Sequence, residues 1–226
     1  MSLLGGRTRS EVSRDAFVRL AQRFGSWSAV RDGSRDEIRM LIRRVTFFEN
    51  KATYLKATLN ILSRHASAPS LSWLSGMDTG YAHSVLQRLP GVGPKVASAV
   101  LNFSSLRRRC LVVDSHHLRV MRRLGFLVFD DDYAYGYRQL MPLLPAEWTA
   151  DQIDHHHCIV KGLGQTVCTY DVPACGVCPL NEICPSARNM RVGMPELENT
   201  GPRHARFVPD ELGLIAHLAA DLAPVS

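Results

Sequence analysis

Apolar residues recur at helical spacing along most of the chain. Phe17, Leu20, Ala21 and Phe24 stand at i, i+3, i+4 and i+7, which places them on one face of a helix. Four later stripes have similar spacing: Ile38, Leu41, Ile42 and Val45; Ala52, Leu55, Leu59 and Leu62; Ala82, Val85, Leu86 and Leu89; Ala97, Val100, Leu101 and Ser104. No segment alternates apolar and polar residues over more than a few positions. The pattern therefore predicts a mainly α fold.

Polar residues mark where several of these helices begin. Ser34 to Glu37 forms a capping box ahead of the second stripe, and Asp78 and Asp114 stand where N-caps are expected. The helix after Asp114 is expected to end near Gly125. A tight turn from Pro90 to Pro94 joins two of the amphipathic helices. This arrangement predicts a helix–hairpin–helix motif at about 78–105.

Four cysteines near the C-terminal end follow the spacing C-x6-C-x2-C-x5-C: Cys168, Cys175, Cys178 and Cys184. Four thiolates are the ligand set of a [4Fe–4S] cluster. Zinc with four cysteines usually shows two C-x2–4-C pairs, and the chain has one such pair. Two disulfides would need an oxidising compartment, and the first six residues do not look like a secretory signal. The spacing favours the cluster, with zinc and disulfides as alternatives.

The segments divide into three predicted regions. Residues 1–110 would form a helical bundle that contains the helix–hairpin–helix, and 111–186 a second helical domain with the cysteine loop. Residues 187–226 would form a linker with an amphipathic stretch at 208–222 that docks as a helix. Cys110 and Cys158 lie outside the cysteine spacing and are interpreted as small buried apolar residues.

The formal net charge of +6 favours an anionic partner. Arginines gather in short runs, including Arg107, Arg108 and Arg109, which we expect to contact nucleic acid; a solvated basic surface is the alternative. No apolar run approaches the roughly 20 residues that cross a bilayer. We therefore expect a cytoplasmic protein, nucleoid-associated if bacterial, that is a monomer.

The turn at Gly91, Val92 and Gly93 opens onto the start of a helix, where unpaired amide groups make an anion site that suits a DNA phosphate. Lys95 lies in the first turn of that helix. The positive end of the helix dipole and partial burial could both lower its pKa and provide a nucleophilic amine. A solvent-facing lysine or a second phosphate contact is the alternative.

Asp114 follows the apolar run from Cys110 to Val113, so it should be presented from the core. Capping the next helix explains an aspartate here without any catalysis. A carboxylate beside a lysine could also stabilise positive charge on a sugar during glycosidic cleavage. The two roles are compatible.

Leu89 to Ala97, then Val113 to His116, then the four-cysteine loop together resemble the endonuclease III family of DNA glycosylases. The resemblance covers roughly residues 1–186. It implies a two-domain helical fold, a six-helix bundle with a helix–hairpin–helix beside an iron–sulfur cluster domain. It also implies that Lys95 is the nucleophile, that Asp114 assists it, and that the four cysteines hold a [4Fe–4S] cluster. A lysine at position 95 argues against the adenine-glycosylase branch.

The resemblance implies that a damaged base in double-stranded DNA is flipped out, that Lys95 forms a Schiff base, and that β-elimination nicks the strand. Oxidised pyrimidines are the expected substrates. Another modified pyrimidine, methylated or deaminated, is the second hypothesis. A non-catalytic DNA-binding module with a cluster is the third.

Two positions depart from the family pattern. Arg7 stands where the family has a glutamine that fills the gap opposite the flipped base, and phosphate binding is the alternative role. Phe47 falls at the wedge position, where an aromatic ring could enter the duplex, with a core phenylalanine as the alternative. The family's leading helix is also missing, and we hypothesise that the 208–222 stretch covers that gap.

His155, His156 and His157 are adjacent on a helix, so they point three ways and make a poor metal site.

Overall fold

The computed structural model describes residues 1–64, 68–130 and 132–192, and these contain no β-strand. They form ten α-helices: α1 (Ser10–Phe24), α2 (Trp27–Asp32), α3 (Arg35–Leu41), α4 (Phe48–Leu62), α5 (Thr79–Leu86), α6 (Pro94–Phe103), α7 (Ser115–Arg123), α8 (Tyr133–Leu140), α9 (Ala150–Thr166) and α10 (Pro185–Val192). Short 3-10 helices occupy Ser2–Leu4, Ser72–Gly76, Met141–Leu143 and Cys175–Val177. The prediction of a mainly α fold is confirmed.

The predicted N-caps form, but the predicted capping box at Ser34 forms only in part, because the Glu37 carboxylate pairs with Arg23. The Ser34 side chain accepts a hydrogen bond from Glu37 N–H at 3.1 Å, and Asp78 accepts one from Tyr81 N–H at 3.0 Å. Helix α3 ends at Leu41, earlier than its apolar stripe. The last stripe residue, Val45, is still buried, because a turn closed by a hydrogen bond from Val45 N–H to the Ile42 carbonyl folds it into the same core.

The sequence pattern missed α2 and α8. Helix α2 has only six residues, and α8 has a glycine inside it, so neither shows the clear apolar stripe by which the equally short α3 and α5 were recognised. Their N-caps were the available signal. Ser26 accepts a hydrogen bond from Ala29 N–H at 3.1 Å, and Asp132 accepts one from Ala134 N–H at 2.7 Å.

Among the described residues, three hydrophobic clusters form the core. The first joins α1 to α4 with Leu4, the second surrounds α5 and α6, and the third joins α7, α8 and α9. Cys110 packs in the second cluster and Leu111 in the third, so the chain passes between them at the predicted 110/111 boundary. Residues Met1–Arg191 form one compact unit. A division of this unit into two domains stays a prediction.

The predicted linker at 187–226 begins inside α10, and its amphipathic stretch at 208–222 lies outside the described residues. Its docking therefore stays a prediction. Within the described ranges, no helix has the length and apolar composition to cross a membrane.

Gly136 allows α8 to pack closely on α7. A Cβ at this position would lie 2.4 Å from Leu118 Cδ2 and 3.2 Å from Val113 Cγ1. Both side chains are buried, so any shift that makes room for the Cβ must displace other core residues. Gly136→Ala should therefore destabilise the protein by about 1–3 kcal/mol through overpacking, measured by urea unfolding.

The matched control is Gly162→Ala in α9, where an added Cβ meets nothing within 4 Å. This change should stabilise the protein by up to about 1 kcal/mol, because alanine is the better helix former. Equal free energies of unfolding for the two variants would contradict the packing argument.

Candidate active site

The hairpin turn is shaped by a contact with α4. Gly91 has φ of 74°, and the ring of Tyr54 stands 2.6 Å from the place where a Cβ would be. Glycine is required there by its backbone conformation and by the lack of space. Thr58 Oγ1 donates a hydrogen bond to the Pro90 carbonyl at 3.2 Å. The Val92 side chain is buried in the second cluster, so this residue can offer a ligand only its backbone.

Lys95 is the second residue of α6, after the Gly93 N-cap and Pro94. Burial lowers its pKa, the nearby charge of Asp114 opposes this change, and the charge of Lys161 adds to it. The structure thus brings Lys95 and Asp114 within electrostatic reach of each other. A lowered pKa increases the fraction of free amine at neutral pH, which a nucleophilic lysine needs.

Asp114 is the buried N-cap of α7, and its carboxylate accepts a hydrogen bond from His117 N–H at 2.9 Å. Burial by itself would raise the pKa of Asp114, but the hydrogen bond from His117 and the nearby His157 and Lys95 lower it overall. The carboxyl group therefore stays ionised at neutral pH. The capping role is confirmed, and the electrostatic role in catalysis stays a prediction.

A histidine pair packs behind Asp114. The ring of His117 is fully buried and stacks on His157, with centroids 5.3 Å apart and planes 3° apart. His157 Nδ1 donates to the Val112 carbonyl at 2.7 Å, whereas neither ring nitrogen of His117 has a hydrogen-bond partner among the described residues. Burial lowers the pKa of His117 to about 3, with a further contribution from His157.

The three adjacent histidines of α9 point in different directions, as predicted. His155 is exposed, His156 is partly buried and His157 is buried. His156 and His157 both contact the ring of His117. Their role in the described structure is packing.

Lys51 is a buried lysine that the sequence analysis missed. Its ammonium donates to the Leu4 carbonyl at 2.8 Å and to the Gly6 carbonyl at 2.6 Å. Burial, and then the charge of Lys95, lower its pKa to about 8. The available signal was its position, four residues before Leu55 on the apolar face of α4.

Arg7 and Phe47 lie together on the surface. Both have left-handed backbone conformations, with φ of 54° and 57°, and the Arg7 guanidinium carbon is 5.8 Å from the centre of the Phe47 ring. Phe47 is 55% exposed, so the alternative of a core phenylalanine is wrong. Insertion of either side chain into a duplex stays a prediction.

The three arginines at 107–109 bind groups of the same chain. Their guanidinium groups connect the segment before Asp114 to the regions before α5 and at the start of α9. The contacts are Arg107 with the Asn102 carbonyl, Asp151 and Asp154, Arg108 with the Ser75 carbonyl, and Arg109 with the Pro145 and Trp148 carbonyls. These bonds give all three a structural role. Their predicted contact with nucleic acid remains to be tested.

The four spaced cysteines line one cavity. Arg123 also lines it, and one of its guanidinium nitrogens donates to Cys168 Sγ at 3.3 Å. Within the described ranges, no group of three or more His, Cys, Asp or Glu side chains is arranged to hold a metal ion. The four cysteines nevertheless line one space, and four thiols are the ligand set of a [4Fe–4S] cluster.

Two arginines of α7 connect the Asp114 helix to the cysteine loop. Arg119 is buried and donates to the Cys168 carbonyl at 3.0 Å and to the Gly164 carbonyl at 2.6 Å. Arg123 donates to the Thr169 carbonyl at 2.6 Å. Both guanidinium groups therefore bind backbone carbonyls of the same chain.

Several known proteins are similar in sequence to this chain. Residues 1–145 match the model of the HhH-GPD superfamily base excision DNA repair protein. Endonuclease III of Synechocystis is 31% identical over 188 residues, which cover 83% of this chain and 79% of the relative. Endonuclease III homolog 2, chloroplastic, of Arabidopsis thaliana is 30% identical over 196 residues, 82% of this chain. The chain spans about half the length of this plant relative (47%).

Among solved structures, a non-covalent endonuclease III–DNA complex is similar to the chain with a TM-score of 0.68. The alignment covers 84% of this chain and 82% of that one at 22% identity. This similarity shows that the fold is the same.

The buried His117 makes stability depend on pH. The pKa of His117 is lower in the folded state than in the unfolded state. The unfolded state therefore binds one more proton at pH values between about 3 and about 6.5, the ordinary pKa of histidine. Its contribution to stability is complete above this window and is lost as the pH falls through it. His117→Phe should therefore reduce the slope of unfolding free energy against pH in the window by up to about 1.4 kcal/mol per pH unit.

The matched control is His155→Phe on the exposed face of α9. Urea unfolding at a series of pH values should give this variant a slope close to that of the unmodified protein. An unchanged slope in His117→Phe would contradict the prediction.

Proposed function

The chain belongs to the HhH-GPD superfamily of base excision DNA repair proteins, and we propose that it is an endonuclease III-like DNA glycosylase that also has AP lyase activity. The observation that carries the proposal is the placement of Lys95. It begins α6 directly after the hairpin turn, has a lowered pKa, and lies within electrostatic reach of the buried Asp114. An amine and a carboxylate in this arrangement suit covalent attack on a sugar carbon.

In the proposed reaction, the free amine of Lys95 attacks C1′ of the damaged nucleotide. The N–C1′ bond forms while the glycosidic bond breaks, and the base leaves with the electron pair of that bond. The ionised Asp114 stabilises positive charge on the sugar. Ring opening gives a Schiff base on Lys95, and β-elimination then breaks the bond between C3′ and its phosphate.

Duplex binding is proposed for the face that carries the hairpin turn. The backbone at Gly91, Val92 and Gly93 and the start of α6 can hold a phosphate without reading sequence. Arg7 and Phe47 are exposed side chains suited to fill the gap and to wedge the duplex when a base is flipped out. The similarity of fold to a DNA-bound endonuclease III supports this proposal.

We propose oxidised pyrimidines as the substrates, because the relatives are endonuclease III proteins. Duplexes that each carry one lesion, including oxidised, methylated and deaminated pyrimidines, can be assayed for base release. Fastest release of an oxidised pyrimidine would support the proposal, and a preference for another modified pyrimidine would replace it.

Cys168, Cys175, Cys178 and Cys184 are proposed to hold a [4Fe–4S] cluster. When bound, the cluster would fix the loop that follows α9, and no step of the base-excision reaction needs it. Arg119 and Arg123 hold the same loop through its carbonyl oxygens.

Iron content separates the cluster from the alternatives of zinc and disulfides. The protein purified without oxygen should contain about four iron atoms per chain, measured by elemental analysis. Cys178→Ser should lose most of this iron, and Cys158→Ser should keep it because Cys158 lies outside the cavity. One zinc atom per chain in place of iron would contradict the prediction.

Borohydride trapping on a duplex with an abasic site tests the role of Lys95. Reduction should convert the Schiff base of the unmodified protein to a stable covalent adduct. Lys95→Ala should give none, because it lacks the amine. A protein that binds this DNA but does not trap would have no lyase activity.

Asp114→Asn provides the contrast, because asparagine also caps helices and α7 should stay folded. This variant should bind DNA normally but lose base-release turnover by on the order of 100-fold, as expected for a lost electrostatic contact to the transition state. Unchanged turnover would remove Asp114 from the mechanism.

A further inference from the structure

The segment that carries Arg7 is held by one buried ammonium group. Lys51 lies in the first turn of α4 and is only 8% exposed. Its ammonium donates to the carbonyls of Leu4 and Gly6 at 2.8 and 2.6 Å and to Thr8 Oγ1 at 3.3 Å. Gly6 and Thr8 stand on either side of Arg7. The three hydrogen bonds of one lysine therefore fix the segment that presents the Arg7 side chain.

The same network holds Phe47. Thr8 Oγ1, one of the acceptors of Lys51, also accepts a hydrogen bond from Thr46 N–H at 3.1 Å. The backbone N–H of Lys51 also donates to the Phe47 carbonyl at 3.0 Å, but this is the first hydrogen bond of α4 and does not depend on the side chain. The ammonium of Lys51 is therefore connected to Phe47 through Thr8 and Thr46.

The held residues have conformations that L-amino acids rarely adopt. Arg7 and Phe47 both have positive φ and exposed side chains, and Phe47 lines a cavity together with Lys51 and Tyr54. Such strain persists only where the surrounding structure imposes it. The network of Lys51 and Thr8 is the part of the structure that can impose it on both residues at once.

Stability alone is a poor reason for a lysine at this position. In the described part of the chain, its side-chain partners are two carbonyls and a hydroxyl, with no carboxylate. A buried ammonium without a counter-ion is costly, and this cost offsets part of what its bonds to the two carbonyl groups contribute to stability. The geometry of its partners points instead to the presentation of Arg7 and Phe47.

We propose that Lys51 is a positioning residue, which fixes Arg7 and Phe47 as one rigid element that enters the duplex beside the flipped base. This inference rests on the proposed function, because it assigns a role within that DNA-binding face. Lys51 acts through the two side chains and touches no reacting atom. A misplacement of such groups by about 1 Å can lower a rate by on the order of 100-fold.

The test compares Lys51→Met with Lys56→Met. Lys56 lies on the same helix and donates to the Gly33 carbonyl, away from Arg7 and Phe47. The first readout is the fluorescence of a 2-aminopurine placed opposite an abasic site, which changes when a side chain disturbs stacking. The second is the rate of base release from a lesion-containing duplex at saturating protein. Lys51→Met should lose the fluorescence change and slow base release by about 10- to 100-fold, and Lys56→Met should do neither.

A double-mutant cycle separates positioning from general damage to the fold. If Lys51 acts through Arg7 and Phe47, then Lys51→Met should have little further effect on either readout in an Arg7→Ala/Phe47→Ala background. Additive losses would overturn the inference. Thr8→Val is the milder second variant, and it should lower both readouts in the same direction even if Lys51→Met folds poorly.

The outcomes distinguish this inference from the proposed function. If the unmodified protein changes the 2-aminopurine signal but releases no base, the proposed reaction fails. The double-mutant cycle, measured by fluorescence alone, then still decides the role of Lys51. If the unmodified protein releases bases and Lys51→Met equals Lys56→Met in both readouts, the positioning role is wrong and the proposed reaction stands.

Discussion

The hydrogen bond from His117 N–H to the buried carboxylate of Asp114 is the interaction on which the candidate site depends. It starts α7 at the end of the apolar segment that runs through the core. The carboxylate is thereby fixed at a place where its charge raises the pKa of Lys95 against the effect of burial. The same helix carries Arg119 and Arg123, whose guanidinium groups hold the cysteine loop. One N-cap therefore relates the carboxylate, the amine and the cysteine loop to one another. The capping role and the proposed catalytic role use the same buried charge.

The net positive charge has a different meaning in the structure than in the sequence. Arg109 and Arg119 both donate to backbone carbonyls, and Lys51 uses its ammonium in the same way. These cations satisfy carbonyl groups that the turns between short helices leave without partners, which is a structural use of charge. The net charge of +6 thus overstates the number of cations available to a nucleic acid. Arg7 is different, because its guanidinium lies against an exposed aromatic ring.

Much of the fold followed from local signals. Helical spacing and the N-caps Ser34, Asp78 and Asp114 located most of the helices, because these signals act within a few residues. The short helices α2 and α8 were missed because packing, and not such a local signal, stabilises them. Val45 shows the opposite case, in which a correct apolar pattern continued beyond the end of its helix.

The sequence by itself determined the helical fold, the glycine turn with Lys95, the cap at Asp114 and the set of four cysteines, because each depends on residue types at fixed short spacings. Only the tertiary structure decided that Phe47 is exposed, that Arg107, Arg108 and Arg109 bind their own chain, and that Lys51 is buried beneath Arg7. Burial and hydrogen-bond partners depend on residues far apart in the chain, so no local pattern contains them. Lys51 and Gly6 are 45 positions apart and become partners only when α4 packs against the N-terminal segment.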